Sequence, residues 1–174
     1  RSVAPVSPPM PTGGSAVTRA ADSVKTEDLS WLNQDAHTFI VEAFNHPNLA
    51  DGDLNGTYFG FSDGSNQNRT ALDISDGDNR ATGQGYSIGL NDEFGSAQPQ
   101  TVKHAFAQQD NDVVVVSDGV VQLIKDPGTI PSGYSVLGVG MLGRNGSKQL
   151  NGHIKSLTVY SGRKSDDFLK SETS

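Results

Sequence analysis

The chain has 174 residues and no cysteine, with a formal net charge of −7 at pH 7. This length suffices for one domain with a hydrophobic core, and an acidic balance without a basic stripe argues against a nucleic-acid partner. No apolar run approaches the ~20 residues of a membrane-spanning helix, so membrane insertion is not expected. The absence of cysteine favours a bacterial or viral origin, or assembly in the cytosol, over a secreted eukaryotic domain.

The chain begins with a proline-rich segment, residues 1–16. Proline fixes φ and removes a backbone donor, so this segment is predicted to be an extended arm or linker. Residues 17–174 are predicted to form one domain. Because the chain starts at Arg1 and not at methionine, we expect a processed product or a fragment of a longer protein.

Short strand signals follow one another along residues 17–160. In several of them apolar and polar residues alternate with a period of two, which is typical of a strand with one buried face. This alternation places Phe106 and Leu157 in the core. The pair Asp118-Gly119 lies between two valine-rich runs and predicts a tight hairpin, because Asp-Gly accommodates positive φ values. The predicted strands are Val17–Val24, Thr38–Phe44, Thr57–Phe61, Thr70–Ile74, Tyr86–Leu90, Thr101–Ala107, Val113–Ser117, Val120–Ile124, Val136–Leu142 and His153–Tyr160.

The C-terminal stretch carries the most specific local pattern. Apolar residues alternate through Ile154–Val159 but slip by one position midway, which predicts a β-bulge in the last strand. Ser165 is then predicted to cap a short helical turn at about Asp166–Lys170. The first two residues of that turn are acidic, as the helix dipole favours.

This ending and several earlier segments resemble the concanavalin A-like (laminin G-like) β-sandwich domains of tailed-phage virion proteins. The resemblance spans roughly Thr18–Thr173 and implies an all-β fold. That fold is an antiparallel jelly-roll β-sandwich with an extended N-terminal arm and a short C-terminal helical turn. The same sandwich also occurs in lectins, glucanases and adhesion modules. The segments that carry the resemblance are Thr18–Asp22, Ser62–Arg69, Thr101–Asp112, Leu150–Tyr160 and Ser165–Leu169.

The resemblance also implies a function. It suggests a non-enzymatic module on the virion surface, in a head fibre, a decoration protein or a tail fibre, that binds carbohydrate of the host or the environment. Its partners would be a surface polysaccharide or glycan and, through residues 1–16, other virion proteins; a homo-oligomer is left open. Such a module would be assembled in the cytoplasm of the bacterial host.

Two alternatives to carbohydrate binding remain. One is a purely structural capsid decoration or cement protein that is attached through its N-terminal arm. The other is a glucanase-like glycoside hydrolase, which needs two carboxylates flanking the scissile bond. The four glutamates lie far apart in the sequence, so hydrolysis is the least supported of the three functions, and no catalytic residue is predicted.

Sugar-binding candidates follow from the chemistry of glycan recognition. Sugar rings stack on aromatic faces, and their hydroxyls hydrogen-bond with polar and charged side chains. The candidates for this role are Trp31, Tyr58, Phe94 and Arg144.

One acidic loop resembles half of a calcium site. Asp51, Asp53 and Asn55 place oxygen ligands at alternating positions before Gly56, as in the first half of a calcium-binding loop. The glutamate that should complete such a loop is missing, since Ser62 takes its place. Calcium is therefore a candidate cofactor, and ordinary turn chemistry is the alternative.

Two catalytic-looking motifs are interpreted as coincidences. Residues Gly85–Gly89 match the Gly-x-Ser-x-Gly pattern of a nucleophile elbow, which requires a strand–turn–helix context that the sequence does not supply. Residues Gly138–Gly143 match a dinucleotide-binding fingerprint, but no helix signal follows them.

Overall fold

The computed structural model describes residues 24–45, 56–65, 68–75, 78–84, 90–96, 101–125, 129–141, 149–150 and 152–174. Its strands are β1 (Val24–Thr26), β2 (Ala36–Asn45), β3 (Gly56–Ser62), β4 (Arg69–Ser75), β5 (Asp78–Gln84), β6 (Leu90–Ser96), β7 (Thr101–Gln109), β8 (Asp112–Ser117), β9 (Val120–Lys125), β10 (Val136–Val139) and β11 (Gly152–Ser161). The described helix is α1 (Asp166–Thr173). The predicted arm, residues 1–16, lies outside the described residues.

The strands form two antiparallel sheets. One sheet has the order β1-β10-β3-β4-β5-β6 and the other the order β11-β2-β7-β8-β9. Five of the nine neighbouring pairs among the described strands are strands that follow each other in the sequence. The other four join strands that are distant in sequence, as expected when a chain crosses between two packed layers. The predicted all-β antiparallel sandwich with a short C-terminal helix is confirmed.

Aromatic side chains hold the two sheets together. The ring of Phe39 on β2 lies 4.8 Å from the rings of both Phe59 and Phe61 on β3, and Phe106 on β7 lies 6.3 Å from Phe59. All four side chains are buried, and aromatic pairs at these separations add to the free energy gained by burying their area. The predicted inward position of Phe106 is confirmed, whereas Leu157 is only half-buried.

Helix α1 packs on the outer face of the five-stranded sheet. Leu169 is fully buried there, together with Ile40 of β2, Ala105 of β7 and Val116 of β8. The Ser165 hydroxyl accepts a hydrogen bond from the Phe168 backbone N–H at 3.3 Å, which confirms the predicted N-cap.

The helix extends three residues beyond its predicted end at Lys170. The Gly119 backbone N–H, in the β8–β9 hairpin, donates a hydrogen bond to the Thr173 hydroxyl at 3.1 Å. This tertiary contact ties the last helical turn to the sheet. The hairpin itself has φ of 47° at Asp118 and 77° at Gly119, which confirms the predicted Asp-Gly turn.

The bulge predicted in the last strand is present, since the register of β11 shifts between Ile154 and Ser156. Strand β10 ends earlier than predicted, at Val139 and not at Leu142. The reason is Gly140, whose φ of 70° takes the chain out of the extended conformation. The Gly140 backbone N–H still donates to the Tyr58 carbonyl oxygen at 2.9 Å.

Two strand predictions were incomplete. Residues 86–89 of the predicted strand Tyr86–Leu90 lie outside the described residues, and the structure has β5 and β6 on either side of them. Both are rich in polar residues, so apolar alternation gave no signal for them. Of the predicted edge strand Val17–Val24, only Val24 is described, and it begins β1.

Within the described part of the chain, no helix is long and apolar enough to cross a membrane.

Replacing Phe106 by Ala is expected to destabilise the protein by ~3–5 kcal/mol, because the substitution opens a cavity between the sheets. Leu157→Ala is expected to cost less, because that side chain is only half-buried. Urea denaturation of both variants measures the difference. A larger loss for Leu157→Ala than for Phe106→Ala would show that the core is centred elsewhere.

Candidate functional site

The outer face of the six-stranded sheet lies on the opposite side of the sandwich from α1. Leu72 and Ile74 of β4 belong to the core, and successive side chains of a strand point to opposite faces. Ala71 and Asp73 therefore lie on the outer face. The outer face of the other sheet is apolar at its centre, where α1 packs.

A row of polar residues crosses this outer face from strand to strand. Residues directly opposite each other in an antiparallel pair share a face. The register pairs Thr57 with Asp73, Asp73 with Arg80, and Arg80 with Glu93. Arg80 thus takes a register position between two acidic residues, and the row combines hydrogen-bond donors with acceptors.

Two further rows of cross-strand partners occupy the same face. Their members are small or polar, and none is a large apolar residue. One row is Gly60, Ala71, Thr82 and Asn91, and the other is Ser62, Arg69 and Gln84. On β3 and β4 most of these positions are covered, because Ser62 and Ala71 are 1% exposed and Gly60 is also buried. A ligand rich in hydrogen-bonding groups would therefore meet this face at the register positions of β5 and β6.

Thr57 stands out in the polar row because its hydroxyl has unused hydrogen-bonding capacity. The residue is 0% exposed and its neighbour Asp73 is 2% exposed. The Thr57 hydroxyl oxygen has no hydrogen-bond partner among the described residues. Thr70 on β4, equally buried, differs in this respect, because its hydroxyl lies 2.6 Å from the Tyr134 hydroxyl.

Of the four predicted sugar-binding residues, Trp31 is exposed, whereas the prediction for Tyr58 is wrong. Trp31 lies 48% exposed in the β1–β2 connection. Tyr58 is completely buried, with its ring 5.1 Å from the ring of His104, so it cannot present a face to a sugar. The side chain of Phe94, on β6, and all of Arg144 lie outside the described residues.

The predicted calcium ligands Asp51, Asp53 and Asn55 also lie outside the described residues. Among the residues that the structure does describe, no group of three or more histidine or carboxylate side chains could hold a metal ion. Calcium binding by the acidic loop therefore stays a prediction.

A polar network inside the sandwich joins the two sheets. The His37 Nδ1 atom lies 2.8 Å from the Asn33 carbonyl oxygen, and its Nε2 atom lies 2.6 Å from the Gln108 amide nitrogen. A carbonyl oxygen only accepts, so Nδ1 carries the proton and Nε2 accepts from Gln108. Gln108 also hydrogen-bonds Tyr134, whose hydroxyl meets Thr70 of the other sheet.

Burial keeps the titratable groups of the interior neutral. It lowers the pKa of His37 to about 4, against a smaller opposite effect of the Asn33 carbonyl. It likewise lowers the pKa of His104 to about 4, against the Asp118 carboxylate, and raises the pKa of Tyr134 to about 12. These groups lie between the sheets, and Tyr134 ties the β9–β10 connection to the core through its hydrogen bonds with Thr70 and Gln108.

Comparison with known proteins reveals a shared fold. No protein-family model matches the chain, and no curated protein matches its sequence. Its structure is similar to the CBM40 domain of the Ruminococcus gnavus IT-sialidase bound to α2,3-sialyllactose. The TM-score is 0.68 at 12% identity, and the match covers 87% of this chain and 92% of that one. The NanB sialidase from Streptococcus pneumoniae matches with a TM-score of 0.67 at 15% identity, over 86% of this chain and 26% of that one.

At these identities the likeness shows the β-sandwich fold alone. It agrees with the sandwich that the sequence predicts. The polar row was missed at the sequence level, although one signal for part of it was available. Asp76-Gly77, between the Asp73 and Arg80 segments, is the same hairpin signal as Asp118-Gly119.

Thr57→Val and Thr70→Val each replace a buried hydroxyl by a methyl group of similar size. Because the Thr57 hydroxyl has no partner, Thr57→Val is expected to leave the free energy of unfolding unchanged or to raise it by ~1 kcal/mol. Thr70→Val is expected to lower it by ~1–3 kcal/mol, since it removes a partner of the buried Tyr134 hydroxyl. Equal losses in urea denaturation would show that the Thr57 hydroxyl is paired in solution.

Acid is expected to destabilise the protein between pH 6.5 and about 4. In this range the unfolded chain binds protons at His37 and His104 that the folded chain, with both pKa values lowered to about 4, does not. The loss is on the order of 3 kcal/mol for each histidine and is complete below about pH 4. Unfolding free energies measured against pH should have a shallower slope in His37→Gln than in the wild-type chain.

Proposed function

We propose that this chain is a non-enzymatic carbohydrate-binding module that holds a glycan on the outer face of its six-stranded sheet. The observation that carries the proposal is the cross-strand pairing of Arg80 with Glu93 at the β5–β6 end of the polar row. Thr57 and Asp73, at its other end, are 0% and 2% exposed and lie out of reach of a ligand. The row lies on the face away from α1, in a fold shared with a CBM40 domain whose structure contains sialyllactose.

The charges in the row favour an acidic glycan as the ligand. A sialylated glycan carries a carboxylate, and a guanidinium binds a carboxylate through two parallel hydrogen bonds. Arg80 and Arg69 occupy register positions of this face. Hydroxyl groups of the same glycan would pair with the carboxylate of Glu93.

Because the net charge of the chain is −7, binding of an anionic glycan depends on the arginines close to the ligand. The protein as a whole repels an anionic ligand, but salt screens this repulsion over ~8 Å at physiological ionic strength. The guanidinium–carboxylate contact acts at hydrogen-bond distance and is screened less. Affinity for an acidic glycan should therefore depend on the arginines of the face and not on the overall charge.

We further propose that the chain is carried on a phage particle. The C-terminal strand and helix pattern and the proline-rich residues 1–16 support a module that is carried on a virion surface, on the head or the tail. A purely structural decoration protein, attached through residues 1–16, is the second candidate. It is favoured by the same arm and predicts no glycan affinity.

Arg80→Ala is expected to lower the affinity for α2,3-sialyllactose at least about tenfold, because it removes a charge-assisted hydrogen bond. The affinity for uncharged lactose should change less. The control is Lys155→Ala, which removes a cation from exposed β11 on the other sheet. Calorimetric titration of the three proteins measures the affinities.

Two results would contradict the proposal. If the wild-type chain binds nothing on an array of sialylated and neutral glycans, the structural role is favoured. If Lys155→Ala and Arg80→Ala weaken binding equally, the glycan does not lie on the six-stranded face.

A further inference from the structure

Trp31 is a large aromatic side chain that the fold holds at the surface. It is the single tryptophan of the chain and is 48% exposed. Val24 and Ile124 are also exposed, but they lie on strands β1 and β9. Trp31 instead lies in the turn that connects β1 to β2.

Contacts on both sides of Trp31 fix this turn. Leu29 and Leu32 are buried in the core, and the Leu32 backbone N–H donates to the Leu29 carbonyl oxygen at 2.9 Å. The Asp28 carboxylate accepts hydrogen bonds from the Ser30 backbone N–H at 3.1 Å and from the Ser30 hydroxyl at 2.7 Å. The turn therefore presents the indole from a rigid base.

The indole ring is itself held in place. Its N–H group donates a hydrogen bond to the Asp28 carbonyl oxygen at 2.8 Å. The polar edge of the ring is thus satisfied within the turn, and the surface that remains accessible is apolar. A ligand on this surface would stack on the ring, and binding to a ring that is already ordered costs little conformational entropy.

The charges around the turn favour some of the ligands that could stack on the indole over others. Glu27, Asp28 and Asp35 carry three carboxylates, against one ammonium group on Lys25. Hydrogen bonds from Ser30 hold the pKa of Asp28 below its ordinary value, so this carboxylate is ionised at neutral pH. An anionic sugar is disfavoured here, whereas the C–H face of an uncharged pyranose ring fits the apolar indole and its hydroxyls can donate to the carboxylates.

We propose that Trp31 is a stacking subsite for an uncharged pyranose ring, separate in its chemistry from the arginine-containing face. The inference rests on the proposed function, because it assumes that the chain binds glycans. It assigns the neutral sugars of a glycan to Trp31 and the acidic sugar to the six-stranded face.

Tryptophan fluorescence of the full chain tests this directly, because Trp31 is the single tryptophan and excitation at the red edge of indole absorption avoids the tyrosines. Lactose, which has no charge, is expected to shift the emission and to protect the indole severalfold against quenching by acrylamide. Trp31→Ala should lower the affinity for lactose about tenfold, and Trp31→Phe should restore part of it. The matched control is Phe44→Ala, which removes another exposed aromatic ring from β2 and should leave the affinity unchanged.

The outcomes separate this subsite from the proposed function. If sialyllactose binds in an Arg80-dependent manner but neither fluorescence nor the Trp31 variants respond to either sugar, the stacking subsite is wrong and the proposed function stands. If Arg80→Ala leaves lactose binding at Trp31 intact, the neutral and the acidic sugar bind independently of each other, as inferred. If no glycan binds the wild-type chain, both proposals fail.

Discussion

The contact of Phe39 with Phe59 and Phe61 is the interaction on which the rest of the structure depends. It joins β2, near the centre of one sheet, to β3, inside the other, so it sets which face of each sheet is inward. Once these faces are inward, strand alternation decides the outer faces. The apolar outer face of the five-stranded sheet is covered at its centre by α1 through Leu169. The outer face of the six-stranded sheet is polar instead, and on β3 and β4 its members Thr57, Ser62 and Asp73 are at most 2% exposed.

Polar groups in this protein fall into two classes that have different consequences. His37, Gln108, Tyr134 and Thr70 satisfy one another between the sheets and are neutral there. Such a network joins the sheets and makes their relative position specific, at the expense of stability in acid. The Thr57 hydroxyl is buried and has no partner within the part of the chain that the structure describes. A buried hydroxyl without a hydrogen-bond partner lowers the free energy of unfolding. Destabilising features of this kind are often found at functional sites.

The sequence predicted the fold well because its signals were local. The Asp118-Gly119 turn, the Ser165 cap and the bulge after Ile154 each depend on a few neighbouring residues, and all three are present. The prediction for Tyr58 was wrong. Its neighbours Phe59 and Phe61 were correctly assigned to strand β3, but the register of that strand shifts between Thr57 and Phe59. The shift breaks simple alternation, and Tyr58 turns inward against His104.

By itself, the sequence determined the class of fold, most strand positions and the C-terminal cap, because turn chemistry and alternation act over a few residues. Only the tertiary structure decided which residues meet across strands. The row from Thr57 to Glu93 draws on four strands, and its members come together through the register of backbone hydrogen bonds. The histidine network likewise joins residues up to 71 positions apart. Side chains that meet across such separations leave no periodic signal in a single sequence, since the pairing depends on how the two sheets close around their aromatic core.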